Sequence, residues 1–120
     1  MKDLVWIIDD DAGILEVTEI VLNDAGFSTK KISTQQELDS ELKKQLPKVI
    51  LLDVTLAGID GIEIAKKLKN NSMTKKIPII MMSGDASIEQ KAKSSGVDDY
   101  IKKPFDIYKL QEIVKKHSGL

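Results

Sequence analysis

The sequence predicts a single doubly wound α/β domain, with a five-stranded parallel sheet and five helices covering both of its faces. Three observations carry that reading. Short continuous apolar runs alternate with segments whose apolar residues recur every three or four positions, and Gly, Pro or Asn punctuates most of the changes. Four of the runs end on a chemically loaded residue: 5–8 on Asp9 and Asp10, 49–52 on Asp53, 79–82 on Ser83, and 100–102 on Lys103. The 120 residues make one domain of ordinary size, able to bury about two thirds of its unfolded surface. That domain is expected to span 1–120 and to leave no room for an output domain.

Residues 4–8 are apolar without interruption, as in a strand covered on both faces. Ile14, Leu15, Thr18, Val21, Leu22 and Ala25 follow at helical spacing until Gly26, which can take a left-handed cap. Residues 27–32 read as a weaker second strand. Thr34, Gln35, Gln36 and Glu37 form a capping box that opens a second helix with Leu38, Leu42 and Leu46 on one stripe, stopped by Pro47. Val49–Asp53 is the third strand. Ile62, Ala65 and Leu68 mark a third helix after Asp60 and Gly61, ended by Asn70 and Asn71. Pro78 starts the fourth strand, where a missing N–H is tolerated. A short fourth helix runs from about 87 to 95 and stops at Gly96. After the brief fifth strand, Asp106 caps a last helix whose stripe is Leu110, Ile113, Val114 and His117.

Five such pairs imply parallel pairing through right-handed crossovers. The flavodoxin-like strand order 2-1-3-4-5 suits a chain of this size and puts the switch point between strands one and three. Asp9, Asp10 and Asp53 flank that crevice, so topology and chemistry select the same place.

Composition narrows the function classes. Eighteen basic against nineteen acidic residues give a formal net charge of −1, which provides no global basic field for nucleic acid or an anionic membrane. There is no cysteine, which excludes disulfides and thiol chemistry, and no apolar run approaches the length of a membrane span. A soluble cytoplasmic protein is expected.

Two or three carboxylates within a few ångströms repel one another unless protons or a cation compensate. Magnesium prefers few protein carboxylates, several waters and a phosphate oxygen, and Asp10, Asp53 and a backbone carbonyl supply such a half shell. The competing assignment for Asp11, and for Asp10, is capping of the next helix. Asp53 follows four aliphatic residues at the mouth of the central strand, where a carboxylate can attack phosphorus and form an acyl phosphate. Its bland reading is a strand-end turn residue. Lys103 precedes Pro104, which keeps it out of a helical conformation at its strand end. Its ammonium there can neutralise a phosphoryl oxygen. Ser83 alone carries little, since Ser-Gly is also a common turn dipeptide.

Taken together, 6–11, 52–54 with 58–61, 82–84 and 96–105 resemble the receiver domains of two-component response regulators. The likeness covers the whole chain. It implies that Asp53 accepts a phosphoryl group from a histidine kinase or a histidine phosphotransfer protein. It also implies that Asp9, Asp10, Asp53 and the carbonyl of Thr55 hold Mg2+, that Ser83 hydrogen-bonds the acyl phosphate, and that Lys103 pairs with it. Tyr100 matches the family's switch aromatic, although by position alone it is equally an edge-strand residue with a wet hydroxyl. A downstream protein target would dock on the fourth helix, fifth strand and fifth helix. The chain would then be a phosphoacceptor that assists its own phosphorylation and dephosphorylation rather than an enzyme, and a monomer or weak dimer. Ala57 stands where the family usually has proline, and the stretch between Ser83 and Gly96 is shorter than usual. Thr55 and Asp85 occupy positions that tune acyl phosphate lifetime in the family.

Other features take plain readings. Lys66, Lys67, Lys69, Lys75 and Lys76 lack interleaved aromatics and read as a solvated face rather than a nucleic-acid patch. His117 is accounted for by the dipole of the last helix. Trp6 belongs to the core or the crevice wall. The alternative functions are a magnesium-dependent phosphohydrolase with Asp53 as nucleophile, which has no residues left over for a substrate cap, and a receiver excised from a hybrid histidine kinase or longer regulator.

Overall fold

The computed structural model describes residues 4–54 and 61–119. Five strands and five helices alternate: β1 (Leu4–Ile8), α1 (Ala12–Asp24), β2 (Ser28–Ile32), α2 (Gln35–Leu42), β3 (Val49–Asp53), α3 (Gly61–Lys69), β4 (Ile79–Ser83), α4 (Ile88–Ser95), β5 (Asp99–Lys102) and α5 (Ile107–Ser118). All neighbouring strands are parallel and their order is β2-β1-β3-β4-β5, as expected.

The sheet is buried on both sides because successive side chains of a strand point to opposite faces. From β3, Ile50 and Leu52 join a cluster with Leu38 of α2, Ile64, Ala65 and Leu68 of α3, and Ile88 and Ala92 of α4. Val49 and Leu51 join the opposite cluster with Leu15, Val21 and Leu22 of α1 and Leu110 and Val114 of α5. Trp6 is 1% exposed within the first cluster, so it is a core residue. The edge strand β2 instead presents Lys30 and Lys31 to solvent, where they pair with Glu41 and Glu19. Lysines on an edge strand discourage pairing with a second sheet.

The helix ends follow local chemistry. Asp11 caps α1 by accepting from the N–H groups of Gly13 and Ile14, and Gly26 after its end has φ +97°. Thr34 accepts from Glu37 N–H as a capping box requires, but Glu37 Oε1 takes the hydroxyls of Ser33 and Thr34 rather than closing back on the backbone. Asp106 caps α5 through Tyr108 and Lys109.

Three expectations change. The second helix ends at Leu42, and Leu46 is 37% exposed instead of lying on its buried stripe. Pro47 holds the preceding residue extended, and the chain leaves the helix so that Lys48 N–H can reach the Leu4 carbonyl at 2.8 Å. Lys69 does not belong to a solvated face. Its ammonium lies 2.5 Å from Asp98 and donates to the Ile77 carbonyl at 2.8 Å, with its side chain only 13% exposed. His117 Nε2 sits 2.8 Å from Asp99 Oδ2, so a specific side-chain partner accompanies whatever the helix dipole contributes. Asp99 opens β5, which places this pair at the sheet edge opposite the strand carboxyl ends.

Candidate functional site

The carboxyl ends of β1, β3, β4 and the segment after β5 meet at one edge. Parallel register sets their levels: Asp53 is opposite Met82, and Ser83 is opposite Lys102, whose neighbour Lys103 donates its N–H to the Ser83 carbonyl at 2.9 Å. Asp9 continues β1 by donating its N–H to the Ile32 carbonyl at 3.0 Å. The strands thereby deliver residues 9, 53, 83 and 103 to the same crevice, although they lie up to 94 positions apart in the chain.

Lys103 joins the two buried acids. Its Nζ is 2.6 Å from Asp53 Oδ2 and 3.4 Å from Asp9 Oδ2, while Asp9 and Asp53 are 1% and 3% exposed. Burial alone would push the lysine ammonium down, but the hydrogen bond and charge of Asp53, followed by those of Asp9, raise it above its ordinary value. The cation is therefore present throughout the neutral range. Burial is also the first reason that the Asp9 carboxyl is pushed up to about 6. A hydrogen bond from Asp11 N–H works against that rise, the hydrogen bond and charge of Asp53 add to it, and the Lys103 charge opposes it.

The sign of the resulting pH dependence is definite. A carboxyl that holds its proton to higher pH when folded than when unfolded stabilises the fold below the unfolded value, and that contribution is lost as pH rises towards about 6. Metal-free protein is expected to lose on the order of 2 kcal/mol from this group between about pH 4 and 7. Asp9→Asn should remove that part of the profile while keeping the acceptor for Asp11. Thermal melts of both proteins in chelator across the interval check it, and parallel curves would refute it.

Ser83 is fully buried, and its Oγ accepts from Asp85 N–H at 3.0 Å. Tyr100 lies in the edge strand β5, half-buried against the cluster that holds Ile88 and Ala92. Asp10 is exposed and immediately follows Asp9. Thr55, whose carbonyl completes the expected metal shell, and the loop with Ala57, Gly58 and Asp60 lie outside the described residues. Two contributors escaped the sequence reading. Asp85, there only a tuning position, gathers Ser87 and Lys91, and Gly61 packs directly under the Asp53 carbonyl.

Among the described residues no group of three or more acidic or histidine side chains is gathered closely enough to hold a metal. The donor chemistry nevertheless fits a hard divalent ion. Asp9 and Asp53 are two buried carboxylates in mutual contact, the exposed Asp10 follows Asp9 in the chain, and all donors are oxygen. Magnesium takes few protein carboxylates and keeps much of its water, so it does not need a closed cage.

A family model described as the response regulator receiver domain matches residues 5–115. The chain is 31% identical to sporulation initiation phosphotransferase F of Bacillus subtilis over 120 residues, covering all of this chain and 97% of that protein. It is 37% identical over 103 residues to the phosphate regulon transcriptional regulatory protein PhoB of Pseudomonas aeruginosa, covering 84% of this chain and 45% of PhoB. The chain thus spans about half the length of the PhoB relatives it matches. The expectation of no nucleic-acid partner therefore does not extend to longer proteins that carry such a domain. Among solved structures, a response regulator from Chloroflexus aurantiacus superposes with a TM-score of 0.92 at 32% identity, each chain covered in full. No described helix is long and apolar enough to cross a membrane.

Proposed function

This chain belongs to the family of response regulator receiver domains, and we propose that within it Asp53 is the phosphoacceptor, taking a phosphoryl group from a histidine kinase or histidine phosphotransfer protein. Family membership sets aside the small-substrate phosphohydrolase. The observation that carries the assignment is the 2.6 Å contact between Lys103 Nζ and a buried Asp53 carboxylate at the mouth of the central strand.

In the proposed transfer, an Asp53 carboxylate oxygen attacks phosphorus. The bond from phosphorus to the donor imidazole nitrogen breaks, and that nitrogen keeps the electron pair and takes up a proton. Lys103, already paired with Asp53, follows the negative charge onto a phosphoryl oxygen. Ser83 donates its hydroxyl to another phosphoryl oxygen. The residues that would hold Mg2+ are Asp9, Asp10, Asp53 and the Thr55 carbonyl. Bound there, the ion supplies charge neutralisation between the acids and the incoming phosphoryl group.

The phosphorylated domain then shifts between two conformations, with Tyr100 turning as Ser83 is drawn to the phosphate, and a target reads the face of α4, β5 and α5. It acts as a phosphoacceptor that assists its own turnover rather than as an enzyme on separate substrates. We place it in the cytoplasm, where ATP-derived phosphoryl donors are made. Incubation with acetyl phosphate and magnesium, followed by intact-mass measurement, should show one phosphoryl group per chain, absent when chelator replaces magnesium. Sustained release of many phosphates per chain from varied phosphomonoesters would contradict the proposal.

A further inference from the structure

Resting on that reading of Ser83, we propose that Asp85 is a positioning residue that ties the Ser83 hydroxyl to α4 through Lys91, so that capture of Ser83 by a phosphoryl group moves that helix. The helix is poorly held by itself. It has eight residues, its N-cap residue Ser87 makes no side-chain capping bond, and only Ile88, Ala92 and Ser95 are buried. Helices shorter than about 12 residues do not persist alone, so its placement depends on tertiary ties.

Asp85 supplies such ties in both directions. Toward the crevice, its N–H donates to Ser83 Oγ at 3.0 Å. Toward α4, its Oδ1 accepts the N–H and the hydroxyl of Ser87, each at 2.9 Å, and its Oδ2 accepts Lys91 Nζ at 2.6 Å. Its carbonyl also accepts from Ile88 N–H at 3.2 Å. Lys91 and then Ser87 hold the carboxyl well below the usual carboxylate range, so Asp85 stays ionised at neutral pH.

A hydroxyl has two lone pairs and a proton. Ser83 can therefore accept from Asp85 and donate to a phosphoryl oxygen at once, and its movement toward the phosphate carries Asp85 with it. Lys91 lies one turn beyond Ser87, so the pull reaches the middle of α4 as well as its first residue. Ile88 and Ala92 belong to the cluster against which Tyr100 packs, which gives the displacement a route to β5. Neither Asp85 nor Lys91 needs to touch the phosphoryl group.

The test measures amide hydrogen exchange across residues 88–95 before and after acetyl phosphate with magnesium, in the wild type and in Lys91→Met, Lys91→Gln and Lys91→Arg. Lys91 is partly exposed, and labelling at Asp53 reports whether each variant is folded. All four proteins should take the label. The phosphorylation-dependent change in α4 exchange should fall by about threefold or more in the Met and Gln variants and return in Lys91→Arg, as expected when a charged tie of modest strength is cut. A labelled Met or Gln variant whose α4 responds like the wild type overturns the tie, and so does a labelled wild type whose α4 does not respond. A wild type that takes no label fails earlier, at Asp53 itself, and brings this coupling down with it.

Discussion

Asp53→Asn is expected to lose phosphoryl labelling by about three orders of magnitude or more, because an amide offers no anionic oxygen to attack phosphorus. The fold should survive. Asparagine is nearly isosteric, and although Lys103 loses its partner at 2.6 Å it keeps Asp9 at 3.4 Å. Two opposing effects then meet. Removing one member of a buried ion pair is destabilising, yet removing one of two neighbouring carboxylates relieves a repulsion. A net change within about 2 kcal/mol follows from their partial cancellation. Intact-mass labelling and a thermal melt measure the two halves separately, and retained labelling in the folded variant would mean that another residue is the nucleophile.

Gly61→Ala is expected to destabilise the domain by about 3 kcal/mol, the upper end of the usual overpacking cost. A Cβ at this position would lie 2.7 Å from the Asp53 carbonyl oxygen and 2.8 Å from Val54 Cα. Both neighbours are backbone, so no flexible side chain can swing away. Either α3 lifts from the sheet or the end of β3 bends, and the residue displaced in the second case is Asp53. For a domain of this size the melting temperature should fall by roughly 10 °C, with labelling slowed beside it. Gly84→Ala is the control. Its Cβ would meet nothing nearer than the Lys103 carbonyl at 4.0 Å, and its change should stay within about 0.5 kcal/mol although it adjoins Ser83. Equal melting curves for the two variants would show that the contact beneath Asp53 is not tight.

Much of this architecture is legible along the chain because its signals are local or periodic. Uninterrupted apolar runs mark strands covered twice, a spacing of three or four residues marks helices, and Asp11, Thr34 and Asp106 announce helix starts through bonds to amides two or three positions away. The end of the second helix is not legible in this way, because its apolar stripe continues to Leu46 while the helix stops at Leu42 and the chain turns to pair Lys48 with Leu4. Strand-end position likewise singled out Asp9, Asp53, Ser83 and Lys103 as neighbours.

The amino-acid order by itself determined the alternation of strands and helices, the sheet order and the edge at which the reactive side chains gather, since these depend on periodicity and connection rules. Only the tertiary structure decided which polar groups meet. Lys69 reads as one more surface lysine until the fold brings the end of α3 to Asp98 and the Ile77 carbonyl. His117 finds Asp99 only when α5 packs beside β5, and Lys103 finds both Asp53 and Asp9 only across the sheet edge. Contacts of this kind join residues of ordinary type at no fixed spacing, so their energies arise from burial and distance, neither of which exists until the chain has folded.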